Sequence, residues 1–275
     1  MTASEPGTNT VSSLYDRLTD ALTAAFGDNI HFGYWDDDRD RRSIEQATDR
    51  LTDLVAERLA PGVGGRLLDV GCGSGRPAVR IAREHEVHVT GISISKHQIQ
   101  LAGARPEVGE SAGQVAFRAA DATRLPFPEA SFDGAYAIES LVHMADKAAA
   151  LGHVGRVLRP GARFVVADFF LDGPQTPGEG AEVIAATCEL LRFAPLATLE
   201  AYRGLLDQAG MKLVEVTDIR ANIRRSYTVT SAAFHRALRA LLGELGPEHA
   251  AAARLFEQFG ALPQVGYGLF TAVRL

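Results

Sequence analysis

Hydrophobic positions along the chain change period several times, and each change marks an element. Val11, Leu14, Tyr15, Leu18, Leu22, Ala25 and Phe26 recur at helical spacing, and Gly27 ends the pattern. Ser43-Ile44-Glu45-Gln46 has the layout of a capping box, in which a serine hydroxyl and a glutamine amide satisfy each other's orphan backbone N–H groups. It predicts a helix to about Leu59, stopped by Pro61-Gly62. From there short apolar runs alternate with amphipathic stretches. Strands are predicted over 66–70, 87–94, 114–119, 132–138, 164–170, 212–218 and 266–273. Helices are predicted after the glycine turn 71–75, where Pro77 suits a first turn, and after a second box, Ser95-Lys96-His97-Gln98. Further helices are predicted over 146–158 and 199–209.

This alternation predicts an α/β fold, a doubly wound, seven-stranded, mostly parallel sheet covered on both faces. We read one domain over 1–275, with N-terminal lid helices at about 11–60. The core sheet takes about 65–170, 199–219 and 264–275. Two largely helical insertions, about 171–197 and 220–262, are expected to cover a site.

Composition narrows the function. Hydrophobic residues make up 46% and charged residues 23%, which excludes a disordered chain. The balance of 28 basic against 34 acidic residues gives −6, so no basic surplus points to nucleic acid. Cys72 and Cys188 are too few for a disulfide framework. The first residues lack a signal-peptide pattern, and runs such as Phe164-Val165-Val166-Ala167 are too short to span a bilayer. A cytoplasmic protein with reduced thiols and no membrane partner is expected; a homo-oligomer is compatible with all of this.

The most informative stretch is Asp69-Val70-Gly71-Cys72-Gly73-Ser74-Gly75, between a strand and a helix. Glycines there let a ligand approach the main chain at the sheet's carboxyl edge. A dinucleotide site wants Gly-x-Gly-x-x-Gly, and its third position here is Arg76. Nor is there an acid in Gly91-Ile92-Ser93-Ile94-Ser95 to hold a nicotinamide ribose, or a P-loop lysine.

Asp-x-Gly-x-Gly-x-Gly resembles the first motif of class I S-adenosylmethionine-dependent methyltransferases, a Rossmann-like fold. His31-Phe32-Gly33-Tyr34-Trp35, Asp121-Ala122-Thr123-Arg124-Leu125-Pro126-Phe127, Ser131-Phe132-Asp133, Glu139-Ser140-Leu141-Val142-His143-Met144 and Arg159-Pro160-Gly161 follow in order. Together they resemble natural-product tailoring enzymes of the rebeccamycin sugar O-methyltransferase type. The likeness implies S-adenosyl-L-methionine as cofactor and a small-molecule acceptor.

By that likeness Gly71 and Gly73 approach the cofactor's amino-acid tail, and Asp69 helps with its ammonium group. Ser93 and Gln98 are expected on the ribose diol, which needs groups that donate and accept. Gln98 could equally be only the capping residue of the second box. Asp121 is expected to accept from the adenine amino group with the Ala122 N–H donating to the ring, although aspartate also caps turns. The Ala137 carbonyl is expected near the tail.

For chemistry, an alcohol acceptor must lose its proton as it attacks, and histidine suits that task. His143 directly follows the fourth strand, and Asp168 lies near the end of the fifth. These strands are neighbours in this fold, so both side chains are expected in one cavity, the carboxylate orienting the imidazole. Relatives carry two consecutive histidines before the methionine; here the first is Val142, and His143 matches the second. Tyr15, in a Tyr-Asp pair like that of relatives' lids, faces the sulfonium or is plain core. Tyr34 and Trp35 either close the pocket or are simply buried. No histidine–carboxylate spacing suggests a metal. The leading expectation is O-methylation of a glycoside or polyketide hydroxyl; alternatives are C-methylation of a terpenoid or polyketide carbon, and cyclisation on a bound cofactor without methyl transfer.

Overall fold

Ser43 opens α1 (Ile44–Leu59) through the predicted box: its Oγ accepts from the Gln46 N–H at 3.2 Å, and Gln46 Oε1 accepts from the Ser43 N–H at 3.0 Å. The computed structural model describes residues 28–110, 114–232 and 247–275, with Val11, Thr19 and Thr23. Most of the predicted 11–26 helix, Tyr15 included, lies outside the described residues.

Seven strands form one sheet: β1 (Arg66–Val70), β2 (His88–Ser93), β3 (Val115–Ala119), β4 (Phe132–Ile138), β5 (Leu158–Leu171), β6 (Met211–Asp218) and β7 (Val265–Arg274). Their order is β3-β2-β1-β4-β5-β7-β6. The first five neighbours pair in parallel, and β7 runs antiparallel to both β5 and β6. The chain winds outward from β1 to β3, then returns to lay β4 beside β1. This reversal opens a crevice beyond the carboxyl ends of β1 and β4, where ligands bind in open α/β sheets.

The helices are α2 (Arg76–His85), α3 (Lys96–Gly103), α4 (Pro106–Glu110), α5 (Lys147–Val157), α6 (Glu179–Leu191), α7 (Leu199–Gln208) and α8 (Pro247–Ala261), with a further helical stretch at 224–232. Successive strand residues point to opposite faces. Leu67 therefore packs with Leu51, Val55 and Ile81 on the α1–α2 side, while Leu68 packs with Leu151, Val154 and Leu206 on the α5–α7 side. Burial on both faces is why β1 and β5 read as nearly continuous apolar runs. Bidentate pairs bind α1 to α2: Arg76 to Asp49 at 2.9 and 2.8 Å, and Arg80 to Asp53 at 2.6 and 3.0 Å.

Two elements depart from the sequence pattern. β5 starts at Leu158 rather than 164, because Leu158 pairs with Phe132 before a register shift to Gly134↔Arg163. Gly161, at φ +83°, takes up the shift. α4 escaped notice because a five-residue helix is too short to show a period. No helix among the described residues is long and apolar enough to cross a membrane.

Candidate active site

The carboxyl ends of β1 to β4 surround a cavity of about 400 Å³. Its wall brings together Gly71, Gly73, Ser93, Gln98, Asp121, Ala122 and His143.

β1 contributes the glycine turn. Gly71, Gly73 and Gly75 have φ of +93°, +52° and +83°, values that side chains disfavour. A Cβ at Gly71 would collide with Ser140 beyond β4, and one at Gly75 with Phe117 and Ala102. A Cβ at Gly73 would meet nothing within 4 Å, although Gly73 lines the cavity. Two of these glycines thus serve close packing of the protein, and Gly73 keeps backbone open to the cavity. The turn is anchored by Gly71 and Cys72 N–H groups donating to the Ile92 carbonyl at 3.0 and 2.8 Å, and by Arg105 Nε donating to the Ser74 carbonyl at 2.6 Å.

At the end of β2 the second capping box forms only by half. Ser95 Oγ accepts from the Gln98 N–H at 3.1 Å. The Gln98 side chain does not reciprocate, because Ser93 Oγ takes the Ser95 N–H at 3.1 Å. Gln98 Oε1 instead accepts from Ser93 Oγ at 2.8 Å, and Nε2 donates to Thr19 Oγ1 at 3.4 Å. Backbone and amide do separate jobs, so the amide stands in the cavity wall beside Ser93. At the end of β3, Asp121 Oδ1 accepts from the Thr123 N–H at 2.9 Å and hydroxyl at 2.8 Å, capping the turn Ala122–Arg124. Asp121 is therefore both a cap and part of the wall.

Asp69 lies beneath the glycine turn and is buried, outside the wall itself. Burial pushes its carboxyl up to about 7, with Tyr136 on β4 pulling the other way. Its Oδ2 has no partner among the described residues. An orphaned buried carboxyl oxygen, an open backbone at Gly73 and a paired serine and glutamine at the next strand end fit the ammonium, tail and ribose of S-adenosylmethionine. Ala137 is placed differently from expectation: it pairs with Val166 inside the sheet, and the wall begins one residue later with Ile138.

His143 ends the turn Leu141–His143 that follows β4. Its Nδ1 lies 3.1 Å from the Arg192 carbonyl. A carbonyl only accepts, so Nδ1 carries the proton and Nε2 is the basic nitrogen. Burial pushes the ring's pKa down to about 4, so it is uncharged at neutral pH. The Phe193 ring packs edge-on to it at 5.0 Å.

Asp168 corrects an expectation. Fully buried, it was expected to orient the imidazole, but the Arg192 carbonyl holds that position. The two Asp168 oxygens accept instead from the Val142 N–H at 2.9 Å and the Phe169 N–H at 2.8 Å. Its side chain fixes the backbone of the turn that carries His143 rather than the ring. The segment after α6 grips the same turn, with Ala194 N–H donating to the Val142 carbonyl at 2.8 Å. The Lys147 ammonium donates to the Met144 carbonyl at 3.1 Å and the Pro195 carbonyl at 3.5 Å.

Glu139, directly after β4, lines the cavity and was given no role by the sequence reading. Its Oε1 accepts from the Phe32 N–H and the Tyr267 hydroxyl, both at 2.7 Å. Burial, with Asp168 nearby, pushes its carboxyl up to about 8. The available signal was an acid immediately following a buried apolar strand at the ligand edge. Tyr34 and Trp35 take the buried alternative rather than closing this cavity. Tyr34 packs on the core, and the Trp35 indole donates to the Arg42 carbonyl at 3.1 Å beneath Arg225. Among the described residues no group of three or more His, Cys, Asp or Glu is placed to hold a metal ion.

Comparison with known proteins bears on the family. A family model described as a methyltransferase domain matches residues 68–166, from β1 into β5. An O-methyltransferase of Aspergillus nomiae, rstn1, is 50% identical over 78% of this chain and 95% of its own length. The 27-O-demethylrifamycin SV methyltransferase of Amycolatopsis mediterranei is 37% identical over 98% of each chain. Among solved structures, the [4+2]-cyclase SpnF superposes with a TM-score of 0.85 at 32% identity, covering 98% of this chain and 97% of that one. With a glycine turn, a serine–glutamine pair and an uncharged histidine around one cavity, and with relatives matched over most of their length, the chain belongs to the S-adenosylmethionine-dependent methyltransferases.

Proposed function

We propose that this enzyme methylates a hydroxyl of a glycoside- or polyketide-type secondary metabolite, with His143 as general base. When bound, the cofactor supplies a methyl group on a sulfonium, already an excellent leaving group. The protein's tasks are then alignment and removal of the acceptor's proton. The observation that carries this reading is the uncharged His143 ring in the cavity wall, its Nε2 lone pair set by the Arg192 carbonyl. The O-methyltransferase relatives support hydroxyl acceptors. Asp69, Gly71 and Gly73 hold the tail, Ser93 and Gln98 the ribose, and Asp121 and Ala122 the adenine. Asp168 is a positioning residue, acting on His143 through the Val142 N–H. The segment 171–197 and the described parts of 220–262 are assigned to the acceptor side; residues 233–246 lie outside the described residues.

Incubation with methyl-labelled cofactor and a panel of hydroxylated glycosides and polyketides should place the label in an O-methyl group. Label appearing on carbon would overturn the hydroxyl reading. The likeness to SpnF favours a second reading, in which the cavity folds a polyene for cyclisation. Conversion of an acceptor to an isomer with no label consumed would establish that one.

Gln98→Ala should keep its helix cap, which uses only the backbone N–H. It should nonetheless weaken cofactor affinity by roughly 5- to 150-fold, the scale of about 1–3 kcal/mol for a lost buried hydrogen-bond partner. Titration calorimetry and a melting curve on the same variant separate the two effects. Gly73→Ala should lower stability by only about 1–2 kcal/mol, the cost of a left-handed alanine. Its added methyl fills space the cofactor needs, so affinity should fall by about tenfold or more. Unchanged affinity in Gly73→Ala would show that the tail lies elsewhere.

A further inference from the structure

Glu139 presents an unusual arrangement for a carboxyl in a ligand cavity. Both of its hydrogen bonds among the described residues fall on Oε1, from the Phe32 N–H and the Tyr267 hydroxyl. Oε2 has no described partner, yet it is not among the fully enclosed orphan atoms, and Glu139 lines the cavity. Its backbone sits at φ +48°, a left-handed conformation that is strained for a non-glycine residue. Such outliers persist where the surroundings hold them, and they cluster at functional sites. Here the two bonds to Oε1 hold the side chain from both sides, one from the 28–35 segment and one from β7.

Among the described residues, the groups facing Glu139 offer it no cation. Tyr267 comes from β7, Tyr227 from the 224–232 helical stretch and Asp168 from β5, and the His143 ring in the same wall is uncharged. A carboxyl so placed must either keep its proton or meet a cationic ligand. The ends of β1, β2 and β3 carry the groups suited to tail, ribose and adenine. That leaves the end of β4, between the glycine turn and His143, for the sulfonium. We propose that Glu139 is the charge partner of the cofactor's sulfonium, so that this cavity distinguishes the methyl donor from its demethylated product by charge. On binding the donor, Glu139 gives its proton to solvent and faces the sulfonium as a carboxylate. When the product occupies the cavity, the sulfur is neutral and the carboxyl takes its proton back.

The inference rests on the cofactor placement proposed above, and binding measurements separate the two. Dissociation constants for S-adenosylmethionine and S-adenosylhomocysteine would be determined on the full chain from about pH 6 to about pH 9, for wild type and Glu139→Gln. Glutamine keeps an oxygen to accept both Oε1 bonds, and a melting curve confirms that the variant is folded. An opposite charge within about 4–6 Å moves a carboxyl's pKa by about 1 to 3. The wild-type preference for donor over product should therefore rise by about tenfold or more as the pH rises and Glu139 ionises. Glu139→Gln should lack that rise and bind the product as well as wild type does. The ligands' own ammonium groups titrate alike in both proteins, so the comparison cancels them. A wild-type preference with the same pH course as the variant's overturns the proposal, and a flat wild-type preference does so even without the variant. If Gln98→Ala and Gly73→Ala leave affinity for both ligands untouched, the cofactor placement fails instead.

Discussion

His143→Ala is expected to lower turnover by roughly 100- to 10,000-fold at saturating acceptor, the usual cost of losing a general base, with little change in cofactor affinity. The ring lies in the cavity wall with Nδ1 on the Arg192 carbonyl, while the glycine turn is anchored separately on the Ile92 carbonyl and Arg105, so alanine removes a base without unpinning that turn. The pH dependence has a definite sign. Burial holds the ring's pKa at about 4, below its ordinary value, so the base is already deprotonated throughout the neutral range. Wild-type turnover at saturating cofactor and acceptor should therefore not decline between about pH 8 and about pH 6, where an exposed histidine of pKa about 6.5 would begin to protonate. Near-normal turnover in His143→Ala would mean that the cavity works by alignment alone, as a carbon acceptor or a cyclisation requires.

Asp168→Asn should act on stability and turnover together. The carboxylate accepts from two backbone N–H groups, one on each oxygen. An amide has one oxygen, so its NH2 must confront one of those donors. A buried donor left unsatisfied costs about 1–3 kcal/mol, and the melting temperature should fall accordingly. The Val142 N–H is one residue from His143, so loosening it displaces the base, and kcat should drop more than the acceptor KM rises. In the double variant with His143→Ala, turnover should be close to that of His143→Ala alone, because a misplaced base and an absent one are similar losses. Additive losses in kcat would show that Asp168 acts independently of the histidine.

The sheet was legible because its strands are buried on both faces and bounded by glycine, proline and serine signals. β4 was predicted over the same residues it occupies, and the Ser43-Gln46 box formed as written. The wall residues Gly71, Ser93, Gln98, Asp121 and His143 were legible because they sit at strand ends, where topology alone brings them together. What sequence could not supply were partners chosen across long separations. His143 is oriented by a carbonyl 49 residues away, and Glu139 is held by an N–H 107 residues away. Neither a backbone carbonyl nor a backbone N–H leaves a trace in residue identity. Strand order places Asp168 beside the turn that carries His143, yet its two oxygens accept from the N–H groups of Val142 and Phe169. The second capping box misled in part because Ser93, two residues before the cap, competes for the same N–H.

The central claim is that an acceptor hydroxyl meets His143 Nε2 in this cavity. A crystal structure with S-adenosylhomocysteine and the acceptor found by the label assay tests it most directly. The acceptor oxygen should lie about 2.6–3.2 Å from Nε2, with the cofactor sulfur beyond it in line for transfer. An acceptor that presents a carbon to the sulfur, or that turns its hydroxyl away from His143, would contradict it.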